Sequence, residues 1–424
     1  MEKILRTVTD HPAVKHLGPG LITGAADDDP SGIATYSQAG AQFGFNMLWT
    51  VVFTYPLMAG IQMVSARLGC ISGKGLAANI REQFPVWVLY GVVALLLVAN
   101  TINIAADIAA MAEATRLLAG GSTHLYAIMF GLLCLVLQVF MRYETYVRYL
   151  KWLTLALLSY VAVVFTISVP WLEVVHRAFL PSLEWNNDTI TVIVAVFGTT
   201  ISPYLFFWQA AQEMEDLRSS RQGREPVPHE KAEAKRHLRR IKWDTLVGMG
   251  FSNLVAFFII LSTAATLHLA GVTNIQTSAQ AAEALRPLAG DFTFLLFSLG
   301  IIGTGLLAIP VLAGSAAYAV AEALDWRTGL DLKPNEGQRF YSIVAVATIG
   351  GVILCFTPVD PMKELFYSAV INGVIAVPIM AVMMVLGTRE SVMGAFAIGK
   401  RLRIVGWLAT LVMAVAVVAM FATI

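Results

Sequence analysis

The chain has 424 residues, of which 57% are hydrophobic and 13% charged, with a formal net charge of +1. Soluble domains carry near 25% charged residues, so this chain cannot coat a water-facing surface of its own size, and its near-neutral balance offers no basic footprint for nucleic acid. A soluble enzyme and a nucleic-acid-binding protein are excluded; an all-α integral membrane protein remains.

Apolar runs predict eleven transmembrane helices, near 17–44, 46–69, 87–118, 123–141, 150–169, 189–211, 243–268, 291–323, 340–357, 365–387 and 403–423. The first 16 residues are polar and no small-residue cleavage site follows, so no signal peptide is expected to be removed. Cys70, Cys134 and Cys355 are too widely spaced for a disulfide framework or a clustered zinc site.

The first predicted helix reads Gly18-Pro-Gly-Leu-Ile-Thr-Gly-Ala-Ala-Asp-Asp-Asp-Pro-Ser-Gly32. Insertion scales put one Asp at a helix centre at about +2.5–3.5 kcal/mol, so Asp27, Asp28 and Asp29 must face water, protein or a cation rather than lipid. The sixth helix carries a matching interruption, Gly198-Thr-Thr-Ile-Ser-Pro-Tyr-Leu-Phe-Phe-Trp208. A membrane proline usually does no more than kink its helix; its position is what adds meaning here. Helices 1–5 and 6–10 form two sets of five, about 17–169 and 189–387, and an odd number inverts the second set, leaving 403–423 as an extra helix. Broken helices at corresponding places in two inverted halves point to a transporter binding site.

Proline lacks an N–H and so frees the carbonyl four residues earlier: Ala26 for Pro30, Thr199 for Pro203. With the Asp29 carboxylate and the Ser202 hydroxyl, four oxygens can converge between two half-helices, an arrangement that suits a cation.

If the N-terminus is cytoplasmic, 25 of the 29 Lys and Arg residues lie at cytoplasmic ends, and only Arg116, Arg177, Arg286 and Lys363 lie outside. The positive-inside rule then predicts a multi-pass plasma-membrane protein with a cytoplasmic N-terminus and an extracellular C-terminus. Nine of the basic residues fall in Glu213–Lys242, read as a solvated cytoplasmic loop. No stretch is long enough for a soluble domain, so residues 1–424 are expected to form one transporter domain with a cation and lipid as partners. No resident cofactor and no obligatory protein partner are expected.

At these motifs the chain resembles the NRAMP family of divalent-metal transporters, which have a LeuT-like inverted-repeat fold. The segments Leu17–Gly20, Asp29–Gly32, Gly40–Gly44 and Leu48–Trp49 resemble the family's first helix with its Asp-Pro-Gly-Asn signature. Gly198–Tyr204 resembles the helix-6 signature, whose usual form ends Met-Pro-His. The resemblance implies that Asp29 is the metal-binding carboxylate and that Ala26 and Thr199 are the carbonyl ligands. Its Asn ligand falls on Gly32, its Met ligand on Ser202, its helix-6 His on Tyr204 and a further His position on Gln209. Methionine favours transition metals, whereas carboxylate, carbonyl and water suit magnesium, calcium or manganese. The departures therefore imply a harder, roomier site, as in the family's magnesium-transporting subgroup, with Mg²⁺ as cargo and Mn²⁺ second.

Asp27 and Asp28 either attract a hydrated cation or hydrate the unwound segment. Asp107 matches a helix-3 Asp that the family uses in proton movement. Glu113 is read as a hydrated outer position, and Glu213 either as a solvated helix end, the preferred reading, or as part of an inner vestibule. Asn372 either reaches the site or bonds between helices. Tyr204 cannot titrate near neutrality as imidazole does, and all seven histidines lie in loops or at helix ends. Asp107 remains, with Arg339 at the start of helix 9 available to pair with an acid. Mg²⁺ flux without proton coupling is the expectation. Its alternatives are a proton-coupled Mn²⁺/Fe²⁺ transporter and an amino-acid transporter of the same fold, which the three acids disfavour. An intramembrane aspartyl protease would need a Gly-x-Gly-Asp pattern that neither Asp29 nor Asp107 has.

Overall fold

The computed structural model describes residues 18–141, 153–220, 231–333 and 335–423. The N-terminal segment read for a signal peptide, the start of the fifth predicted helix and residues 221–230 of the basic stretch lie outside the described residues. Among the described residues every regular element is helical. Among these residues eight helical segments are long and apolar enough to cross a membrane, and two shorter apolar helices, Leu155–Val164 and Gln338–Leu354, accompany them.

The first predicted helix is two helices, α1 (Pro19–Asp27) and α2 (Pro30–Phe43), followed by α3 (Leu48–Ser72). Asp28 leaves helical geometry at φ −83°, ψ 56°, and Asp29 is extended at φ −75°, ψ 170°. Pro30 enforces this, because a residue before proline is pushed out of the α region and proline itself is preorganised for the first helical position. A short amphipathic helix, α4 (Leu76–Gln83), leads into α5 (Val86–Ala119) and α6 (Thr123–Phe140). Next come α7 (Leu158–Val164) and α8 (Trp171–Phe179). The second break repeats the first: α9 (Asn187–Thr200) stops at Ile201, and α10 (Pro203–Ser220) restarts on a proline two residues later.

The seventh predicted helix begins earlier than expected. It runs as α11 (Lys231–Thr263) into a π-helical turn, Ala264–His268. Residues 231–242, expected in a solvated loop, are therefore helical. The remaining long helices are α12 (Thr293–Ala323), α13 (Gln338–Leu354), α14 (Pro361–Thr388) and α15 (Lys400–Thr423).

Small residues set the closest approaches, as expected where van der Waals packing rather than water drives helix association. Gly20 and Gly24 of α1 lie against the backbone of α11 at Thr245 and Gly248, and a Cβ at Gly198 of α9 would overlap the α14 backbone at Ala369 and Gly373. Both half-helix pairs are thus clamped to a neighbour through glycine. The periphery is apolar: Leu125, Met129 and Leu132 on α6, and Leu411, Val415 and Val418 on α15, are exposed, which is the surface a bilayer would cover.

Candidate metal centre

Both breaks are buried and adjoin. The Asp29 carboxylate caps α2, its Oδ1 accepting the Gly32 N–H at 2.7 Å. Its other oxygen, Oδ2, faces the Tyr204 hydroxyl of α10 at 3.2 Å, and the same hydroxyl reaches the Ala26 carbonyl at 3.1 Å. The second freed carbonyl, Thr199, accepts from the Ser202 hydroxyl at 2.7 Å, with Gly198 O as that hydroxyl's alternative acceptor at 3.0 Å. Each carbonyl released by a proline is therefore engaged by a hydroxyl of the break on the sixth predicted helix.

The structure thus brings together Ala26, Asp29 and Tyr204 through direct bonds, and Gly32 and Thr199 through contact. A Cβ on Gly32 would stand 3.1 Å from Thr199 Oγ1 and 3.3 Å from the Tyr36 ring. The roominess expected at this position is not what is observed, because Thr199 and Tyr36 fill the space a larger side chain would use.

Asp27 and Asp28 turn away from Asp29 toward α11, where Ser252 Oγ bonds Asp27 Oδ2 at 2.6 Å and Asp28 Oδ1 at 3.0 Å. Asp107 on α5 is fully buried, within Coulombic reach of Asp29 and facing the Ser31 backbone N–H, yet neither of its oxygens meets hydrogen-bond geometry. Asn372 accepts from Asn103 at 2.9 Å, tying α14 to α5. Gln209 is remote from Asp29 bonding: it joins Gln62 at 2.6 Å and Thr245 at 3.1 Å.

One expectation at the periphery needs revision. Glu213 is not a solvated helix end; its side chain is fully buried and paired with Arg240, which also reaches Asp216 at 3.1 Å. The register of α11 explains this, since its early start carries Arg240 against α10. Glu113 remains partly exposed, bound to Arg116 one turn away through both carboxylate oxygens.

Sequence reasoning missed Ser252, Thr245 and Gln62, polar residues inside otherwise apolar runs. Such residues seldom sit in a membrane span without a partner, which was the signal available for them.

Among the described residues no group of three or more His, Cys, Asp or Glu side chains is gathered as a metal cluster. A cation here would be met by the Asp29 carboxylate, the Ala26 and Thr199 carbonyls and the Ser202 hydroxyl, a set with neither sulfur nor imidazole. That all-oxygen set is the one hard divalent cations prefer.

A family profile described as "Natural resistance-associated macrophage protein-like" (Nramp) matches residues 20–423. A divalent metal cation transporter MntH from Deinococcus radiodurans is 27% identical over 403 residues, covering 92% of this chain and 86% of the relative. The MntH of Acidiphilium cryptum is 26% identical over 391 residues, covering 90% and 84%. Among solved structures, the Eremococcus coleocola manganese transporter in complex with an aromatic bis-isothiourea substituted compound superposes with a TM-score of 0.71 at 17% identity, covering 96% of this chain and 86% of that one. Mhp1, a nucleobase-cation-symport-1 family transporter, superposes with a TM-score of 0.57 at 14% identity, covering 96% and 92%. At those identities the likeness is one of fold.

Proposed function

The chain belongs to the Nramp family, and on that premise we propose that it carries divalent metal cations, Mg²⁺ first and Mn²⁺ second, across the plasma membrane by alternating access. The observation that carries this reading is the junction of the two breaks, where the Asp29 carboxylate and the Ala26 carbonyl flank one hydroxyl of α10. The architecture proposed with it is eleven crossings arranged as two inverted sets of five plus a last helix, with the N-terminus cytoplasmic and the C-terminus extracellular.

Asp29, Ala26, Thr199, Ser202 and the turn at Gly32 form the proposed cation site. Asp29 supplies its formal charge, and the carbonyls and the Ser202 hydroxyl replace part of the hydration shell. Magnesium keeps several waters when bound, so helix movement has to enlarge the closed arrangement before a hydrated ion enters. Ser202 in place of a thioether is what favours Mg²⁺ over softer ions. The reading is tested by uptake into proteoliposomes, comparing Mg²⁺, Mn²⁺ and Ca²⁺. Uptake of none of the three would overturn it, and uptake of Mn²⁺ to the exclusion of Mg²⁺ would remove the magnesium preference alone.

A further inference from the structure

Tyr204 is wholly buried in the break region, and its hydroxyl lies 3.1 Å from Ala26 O and 3.2 Å from Asp29 Oδ2. It carries one proton and faces two acceptors, both of which belong to the proposed cation site. A cation drawing on the same lone pairs and this proton are mutually exclusive neighbours, since the positive end of the O–H dipole points where the ion's charge would act. The remaining Asp29 oxygen is held independently, by the Gly32 N–H. Ser202 treats the Thr199 carbonyl in the same manner from the other side of Pro203.

We propose that the Tyr204 hydroxyl stands in for the cation when the carrier is unloaded, satisfying Asp29 and Ala26 so that the site closes without an ion. This rests on the transport reading above and adds a positioning residue to it. A carrier that moves its cargo down a gradient must return unloaded in every cycle. During that return the carboxylate and the freed carbonyl pass through a closed, buried arrangement, and a buried acceptor without a donor is strongly unfavourable. The hydroxyl removes that obstacle without adding a charge. When an ion arrives, the phenol rotates or shifts with α10 and releases both oxygens together.

The consequence separates two kinds of flux. Net uptake needs the unloaded carrier to reorient, whereas one-for-one exchange cycles only the loaded form. Tyr204→Phe keeps the ring and removes the donor. It should lower net uptake of Mg²⁺ or ⁵⁴Mn²⁺ into ion-free proteoliposomes at least tenfold. Exchange of ⁵⁴Mn²⁺ or ²⁸Mg²⁺ into vesicles preloaded with the same ion should stay within about twofold of the unsubstituted protein, and the dissociation constant for the ion should be equal or lower. If net uptake and exchange fall by the same factor, or neither falls, the stand-in role is wrong while the transport reading stands. If the unsubstituted protein moves neither ion in either assay, the transport reading itself fails. Should Tyr204→Phe not insert, Tyr204→Leu, which also lacks a donor and adds no metal ligand, carries the same comparison.

Discussion

The Asp244 carboxylate of α11 accepts a hydrogen bond from the Gly20 backbone N–H of α1 at 2.7 Å. Its second oxygen takes the Leu21 N–H at 3.2 Å. Free amides and the positive end of the helix dipole make this a favourable place for an anion, so one side chain fastens the proposed cytoplasmic end of the first half-helix. Arg240, one turn earlier on α11, fastens α10 through Glu213 and Asp216.

Asp244→Ala should loosen α1 without disturbing the break. A cap of this kind contributes about 1–2 kcal/mol, which corresponds to roughly a tenfold change in an opening equilibrium. In a variant with its native cysteines replaced, Thr23→Cys should therefore react about tenfold faster with an impermeant thiol reagent applied from the cytoplasmic side once Asp244 is removed. Unchanged labelling would mean that packing, not this carboxylate, holds α1.

Asp29 caps α2 and is the proposed cation ligand, two roles that substitution can separate. Asp29→Ala removes both the charge and the α2 cap, and should abolish cation binding and uptake while lowering stability by about 1 kcal/mol. Asp29→Asn retains a capping oxygen, so it should keep the melting temperature and still lose uptake. Near-normal uptake in Asp29→Asn would reduce this carboxylate to a helix cap.

Much of this centre is legible in the sequence because proline acts locally. Pro30 and Pro203 dictate the two breaks and the two freed carbonyls without knowledge of tertiary contacts. What the sequence hides is where side chains turn once a chain has been broken. Asp27 and Asp28 are neighbours of Asp29 in sequence, yet both are claimed by Ser252 from a helix more than 220 residues away. Gln209 is likewise drawn to Gln62 and Thr245. The Glu213–Arg240 pair depends on how far α11 extends before the membrane, a boundary that hydropathy places poorly because its first turns are charged.

Ligand softness gives a selectivity prediction. Gly32→Asn with Ser202→Met should shift preference toward Mn²⁺ or Cd²⁺ and weaken Mg²⁺ uptake. Gly32→Asn alone places a Cβ 3.1 Å from Thr199 Oγ1, so it should cost about 1–3 kcal/mol in stability from overpacking. A correctly folded double variant that still prefers Mg²⁺ would assign selectivity to the shape of the surroundings.

Orientation is checked by labelling. A cysteine introduced between residues 221 and 230 should be shielded from impermeant reagents in intact cells, whereas Asn186→Cys, at the start of α9, should label readily. The reverse pattern would invert the topology.

Proton coupling is tested with a pH-sensitive dye inside proteoliposomes under an inward Mg²⁺ gradient at clamped voltage. With Tyr204 where imidazole would otherwise sit, uptake should proceed with little acidification. Acidification that scales with uptake and vanishes in Asp107→Ala would assign proton movement to that buried carboxyl and overturn uncoupled flux.

The glycine seam between α1 and α11 bears on how such a half-helix moves at all. Where Gly20 and Gly24 meet Gly248, backbone lies directly against backbone, leaving no side chain of these glycines to change rotamer. The contact acts as a plain bearing rather than a gear. Displacing α1 along it disrupts few rotamers, so resistance to motion is concentrated near the two ends of the helix, in the Asp244 bonds at one and in the Tyr204 and Ser252 bonds to Ala26, Asp27 and Asp28 at the other. Any side chain placed on that face would turn the bearing into a ratchet.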